Sequence, residues 1–160
     1  IYRNDRKRML VMTIKMTDRV FVDSSVWVAN LNIKDVWHQE SGKILRSLAE
    51  SETILVITGQ IISEVVGKVR LRVDQATAAM FYENILKLEK EGVLIIEGLN
   101  REIEERAMRI LNKFPDLKKL SFVDACSTAL VDDKKASSIA TFDRDFLELG
   151  INVYKPRSVD

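Results

Sequence analysis

The chain has 160 residues, 46% of them apolar and 31% charged, with a formal net charge of +1. This is the profile of one globular domain of ordinary size, not of a disordered or membrane-embedded chain. One cysteine, Cys126, and one histidine, His38, exclude an internal disulfide framework, a cysteine-rich zinc site and any chemistry that needs two imidazoles.

The apolar runs reach only about five residues, far short of the ~20 that a membrane span requires. With the lone cysteine this points to a cytoplasmic protein without membrane contact. The charge is unevenly spread. Residues 1–19 carry six basic side chains and two acidic ones, and the other 141 carry 19 and 22. Such an arm can add affinity for phosphate backbones or can be a solvated leader. The chain starts at Ile1, and Met9, Met12 and Met16 follow closely. The expectation is therefore a basic leader over 1–18, disordered or non-native, and a single domain over 19–160.

Arg19–Asp23 (RVFVD) is an unbroken apolar run ending in a carboxylate, the pattern of a strand buried on both faces of a parallel sheet. Ser24 or Ser25 is expected to cap a short helix from Val26, and Asp35 a longer one with Trp37, Ser41, Ile44, Leu45 and Leu48 on its inner face. Ile54–Thr58 is a second strand, followed by helices at 59–70 and 73–91, the latter closed by Gly92. Val93–Ile96 is a third strand. Asn100 caps a helix with Ile103, Ala107, Ile110 and Leu111 on one face, and Pro115 lies beyond its end. Ser121 opens a helix over Phe122–Val131. Ser138–Thr141 and Ile151–Tyr154 are weak fourth and fifth strands. Alternating strands and helices predict an α/β fold, a mostly parallel sheet of about five strands with helices on both faces.

In such sheets ligands bind beyond the carboxyl ends of the strands. Asp23 ends the first strand. Asp143 lies just past the fourth, and Asp145 follows two residues on. Each alone is as readily a cap or turn residue, but two strand ends deliver acids to one rim. Asp124 falls three residues after Ser121, a capping-box spacing that also fits a ligand in a first helical turn. Glu64 lies near the edge of the apolar face Ile61, Ile62, Val65, Val66 and Val69, where a solvated side chain is the ordinary reading.

The segments VFVDSS, IISEVV, SFVDA and ATFDRDF, in this order, resemble the PIN domain, in particular the VapC-like ribonuclease toxins. The resemblance spans about residues 19–155. It implies a three-layer α/β/α sandwich with Asp23, Glu64, Asp124 and Asp143 as metal-binding catalytic acids and Asp145 as an auxiliary one. The basic leader and the helical segment 71–92 depart from the family pattern.

Crowded carboxylates repel one another unless a cation joins them, and an all-oxygen set selects Mg²⁺ or Mn²⁺. One or two such ions serve in-line hydrolysis of a phosphodiester without a histidine base. In that scheme Asp23 bridges, Asp124 and Asp143 complete the shell, and Glu64 binds or orients the second ion. Ser25 and Thr141 steady the carboxylates. Arg144, Lys68, Arg70 and Arg72 are candidate contacts to RNA, and Trp27 and Trp37 are stacking platforms or packing residues. His38 is expected to pack or cap, and Cys126 to be a small buried residue.

Other phosphoryl-transfer folds fit less well. Ser25 stands where a haloacid-dehalogenase-type phosphatase has its second Asp. SSIAT lacks the late lysine of a receiver domain, and Gly59 to Gly67-Lys68 has the wrong spacing for a P-loop. The resemblance further implies a homodimer and a cognate antitoxin whose tail enters the acidic cleft. The segments around Trp27–Trp37 and 71–85 are candidate contact surfaces. The alternatives are a housekeeping RNA-processing nuclease and a non-catalytic PIN-like binding module.

Overall fold

The computed structural model describes residues 18–156. Apart from Asp18, the expected leader lies outside the described residues. The first apolar run forms β1 (Arg19–Val22), and Val20, Phe21 and Val22 are wholly buried. The remaining strands are β2 (Ile54–Thr58), β3 (Leu94–Glu97) and β4 (Ser138–Ala140). They make one parallel sheet in the order β3-β2-β1-β4. Phe21 stands opposite Val56 on one side and Ile139 on the other. A strand with neighbours on both edges and helices over the sheet has no solvent face, which is why its sequence shows no polar alternation.

The helices are α1 (Ser24–Leu31), α2 (His38–Glu50), α3 (Gly59–Arg72), α4 (Gln75–Lys90), α5 (Arg101–Lys113), α6 (Phe122–Asp132) and the single turn α7 (Asp145–Glu148). Among the helices the main contacts join α1 to α2 and α3, α3 to α4, and α5 to α6. The core between helices and sheet includes Phe21, Leu48, Ile57, Ile61, Ile85, Leu94, Leu130, Ile139 and Phe146. Each contributes roughly 1.5–3 kcal/mol by leaving water. No helix among the described residues is long and apolar enough to cross a membrane.

Several local expectations change. The fifth strand reduces to one parallel bridge, Ile139 with Val153, carried by Ile139 N–H to the Asn152 carbonyl (2.9 Å) and Tyr154 N–H to the Ile139 carbonyl (2.8 Å). Pro156, which has no N–H to give a ladder, follows two residues after Tyr154. The α1 cap is Asp23, one residue before the expected serines, because its carboxylate reaches the Ser25 amide. Asp35 does not cap α2. It accepts from the Trp37 amide (2.9 Å) in a turn, and the helix starts a residue later, at His38. Trp27 is a core residue, its Nε1 donating to the Val22 carbonyl (3.2 Å) and its ring tilted against Phe81. Gly92, with φ +73°, ends α4 in the left-handed region that glycine enters without strain. Cys126 is buried, and burial pushes its thiol up to about 11.

Candidate functional site

The chain leaves β1 outward through β2 and β3, then returns to lay β4 on the other edge of β1. This reversal opens a crevice beyond the carboxyl ends of β1 and β4. Asp23 follows β1 directly, and its N–H donates to the Ala140 carbonyl of β4 (3.0 Å). Thr141 follows β4 directly, so the two residues meet.

Asp23 is 3% exposed. Its Oδ2 accepts from Ser25 Oγ (2.6 Å), Thr141 Oγ1 (2.9 Å) and the Ser25 amide (3.3 Å). Thr141 Oγ1 accepts from the Asp143 amide (3.0 Å), and Asp143 Oδ1 from the Asp145 amide (2.9 Å). The two strand ends are thus laced together by hydroxyls and amides, those of Ser25 and Thr141 among them. Asp145 supplies its backbone here, and its side chain makes no hydrogen bond among the described residues.

Asp124 comes from α6. Ser121 and Asp124 close a reciprocal capping box, with Ser121 Oγ (2.6 Å) and N (2.8 Å) both donating to Asp124 Oδ2. Burial raises the Asp23 carboxyl above its ordinary range, against the lowering pull of the Ser25 and Thr141 hydroxyls. Burial also raises Asp124, and the charges of Asp23 and Asp143 push it further the same way. Three carboxylates from β1, α6 and the β4 exit therefore lie within each other's field. Each uses one oxygen for its protein hydrogen bonds: Oδ2 of Asp23, Oδ2 of Asp124 and Oδ1 of Asp143. The opposite oxygens accept no hydrogen bond among the described residues. The raised affinity of Asp23 and Asp124 for protons, with the Asp143 charge close to Asp124, marks a candidate site.

Glu64 sits in the second turn of α3, partly exposed and paired with Lys68. It is not among the charges that raise Asp124. Lys68 therefore meets an acid rather than open solvent. Arg70 lies six residues past Glu64, about 9 Å along the axis and on another side of the helix. It is exposed there, as are Arg72 and Arg144. His38 Nδ1 donates to the Ala29 carbonyl (2.9 Å), a packing role. Periodicity overlooked Gln60, whose buried Oε1 has no hydrogen-bond partner among the described residues. It lies four residues before Glu64 and shares its helical face, which is the one signal that would have singled it out.

The oxygen-only donor set fits a hard divalent cation such as Mg²⁺ or Mn²⁺. No group of three acids among the described residues already stands at ligating distance.

A family model described as PIN domain matches residues 20–152. The chain is 26% identical over 137 residues to the 23S rRNA-specific endonuclease VapC20 of Mycobacterium tuberculosis, in strains CDC 1551 / Oshkosh and ATCC 25618 / H37Rv. The match spans 86% of this chain and 98% of each relative. The crystal structure of Mycobacterium tuberculosis VapC20, described as a sarcin-ricin loop cleaving toxin, is similar with a TM-score of 0.70 at 25% identity. It covers 82% of this chain and 95% of that one. The parallel sheet, its switch point and the family match over residues 20–152 agree: this chain belongs to the PIN domain family.

Proposed function

We propose that this chain is a metal-dependent endoribonuclease and the toxin of a VapBC-type pair, with residues 19–160 acting as one nuclease domain in the cytoplasm. The observation that carries the reading is the meeting of Asp23, Asp124 and Asp143 at the switch point, each with one oxygen anchored and one unused. The similar proteins named as a 23S rRNA-specific endonuclease point to structured ribosomal RNA as the substrate class.

Asp23, Asp124 and Asp143 would hold one or two Mg²⁺ or Mn²⁺ ions, with Glu64 as the fourth acid and Asp145 fixing Asp143 through its amide. When bound, such a cation supplies charge neutralisation at the scissile phosphate and an activated water. Ser25 and Thr141 keep Asp23 aimed, so the carboxylate needs no reorganisation when substrate arrives. Arg144, exposed beside Asp143, meets the RNA backbone, and Lys68 is available to a phosphate once Glu64 takes a metal. A homodimer and an antitoxin complete the reading. Leu71, Met80, Tyr82 and Leu86 expose apolar surface on α3 and α4 for such contacts.

The test is cleavage of labelled 23S rRNA and of a mixed-sequence RNA with Mg²⁺ or Mn²⁺, with EDTA, and by Asp23→Asn with metal. The expected result is cutting by the wild type with metal alone. Equal cutting by wild type and variant would assign the activity to a contaminant. Folded wild-type protein that neither cuts RNA nor binds Mn²⁺ in calorimetry would overturn the proposal.

A further inference from the structure

Phe142 lies between Thr141 and Asp143, and its backbone is locked into the acidic crevice. Its N–H donates to Ser25 Oγ (3.1 Å), the same hydroxyl that donates to Asp23. The Trp37 ring stacks on the Phe142 ring at 5.0 Å between centroids and 12° between planes. Even with one face covered in this way, Trp37 remains 48% exposed. Indole area of that size at the edge of a polar crevice is open to a ligand.

The loop that carries Trp37 is tied down. Asn32 Oδ1 accepts from the Lys34 amide (3.2 Å), and the Asn32 carbonyl from the Asp35 amide (2.9 Å). Asp35 in turn accepts from the amides of Trp37 (2.9 Å) and His38 (3.1 Å). The indole is thus a preorganised plane that loses little freedom when something lands on it. Lys34 and Arg144 are exposed in the two segments that bring the rings together, so each segment carries a solvent-facing cation.

We propose that the Trp37–Phe142 pair is a stacking platform for an unpaired base of the RNA strand, placing the neighbouring phosphodiester over the acidic crevice. The inference rests on the ribonuclease reading. A flat aromatic face fixed to the rim, on segments that also carry exposed cations, is what a single strand needs, since every base offers a π-face and the backbone offers phosphates. An apolar protein partner would use the same loop through Ile33 and Val36, which are 80% and 89% exposed. The near-parallel stack and the exposed cations of the same two segments favour RNA.

The test combines Trp37→Ala and Trp37→Phe with a fluorescein-labelled single-stranded RNA in Ca²⁺, followed by anisotropy, indole fluorescence and then steady-state cleavage in Mn²⁺. Trp27 is buried, so quenching by RNA reads Trp37. The expected results are quenching in the wild type that Trp37→Phe removes and RNA affinity about ten-fold weaker in Trp37→Ala. Affinity stays within about three-fold in Trp37→Phe, and KM rises in Trp37→Ala with kcat little changed. An abasic strand of equal length binds wild type and Trp37→Ala alike. Unchanged RNA affinity and KM in both variants, with cutting intact, would overturn the platform and leave the nuclease reading standing. A dimer that dissociates in Trp37→Ala without loss of RNA affinity would make the loop a protein contact and likewise overturn it. Wild-type protein that neither binds nor cuts RNA would remove the ribonuclease reading itself. If Trp37→Ala does not fold, Trp37→Leu with the Trp37→Phe comparison reads the same loss of a π-face.

Discussion

Asp23, Asp124 and Asp143 on one side, and Glu64 on the other, are four acids held in two different ways. The first three are each gripped at one oxygen by hydroxyls or amides of the rim. Glu64 is held by a lysine of its own helix, both side chains being about a third exposed. Amides and buried hydroxyls fix a carboxylate in place. A partly exposed ion pair is worth about 0–1 kcal/mol and yields easily. The comparison separates a frame of three carboxylates anchored by amides and hydroxyls from a fourth acid held by a partly exposed ion pair.

The largest effect should come from breaking the frame at its centre. Asp23→Asn is expected to abolish detectable cutting and Mn²⁺ binding, a loss beyond the ~100-fold that removing an outer hydrogen-bond partner costs. Calorimetry with Mn²⁺ checks it, and cutting within ten-fold of wild type would mean that the frame is not the site. Removing the hands that hold Asp23 should cost less. Ser25→Ala and Thr141→Val are each expected to weaken Mn²⁺ binding by roughly 10–100-fold with the fold retained by circular dichroism. Their double variant should lose less than the product of the single losses, because both donate to Asp23 Oδ2.

Glu64 should respond differently. Lys68→Met is expected to leave stability within about 0.5 kcal/mol of wild type and to lower the Mn²⁺ concentration for half-maximal activity by about two- to three-fold, the scale of an exposed pair. A higher Mn²⁺ requirement instead would show that Lys68 positions Glu64 and that all four acids form one rigid set.

The smallest effect is on stability. Burial raises Asp23 above its ordinary value of 3.8. A carboxyl raised on folding favours the fold in its protonated form. That stability is fully present below 3.8 and is lost as pH climbs through the raised value. Above the raised value the ionised Asp23 works against the metal-free fold, and at pH 7 Asp23→Asn is expected to raise the melting temperature in EDTA by about 2–4 °C, equivalent to about 1 kcal/mol. The gain should fade below pH 4. A lower melting temperature for the variant at pH 7 would mean that the Ser25 and Thr141 bonds outweigh the burial.

Much of the local structure is legible in the chain. RVFVD carries its own strand and carboxylate, and the three-residue spacing of Ser121 and Asp124 sets a capping box whatever surrounds it. Glu64 is less legible, because periodicity places it only near a face edge and cannot tell solvent from a crevice. Trp27 and Trp37 look alike as sequence, yet one is sealed against Phe81 and the other lies open on Phe142. Partners far along the chain decide which is which. The expected Asp35 cap failed for a local reason, since an aspartate can accept from the amide two residues on and so close a turn before the helix begins.

The sequence by itself determined the chemistry open to this protein. One histidine and one cysteine exclude paired imidazoles and a cysteine-rich zinc site and leave carboxylates, hydroxyls and cations, and strand-end acids and a capping box bring their own means of support. Only the tertiary structure decided that Asp23 and Asp143 are laced together through Thr141, that Asp124 comes within the field of both, and that Trp37 lies on Phe142. Those meetings depend on β4 returning to the open edge of β1 rather than extending the sheet past β3. That choice is made by burying β1 on both faces and both edges, a gain spread over residues far apart in sequence and invisible in any short window of it.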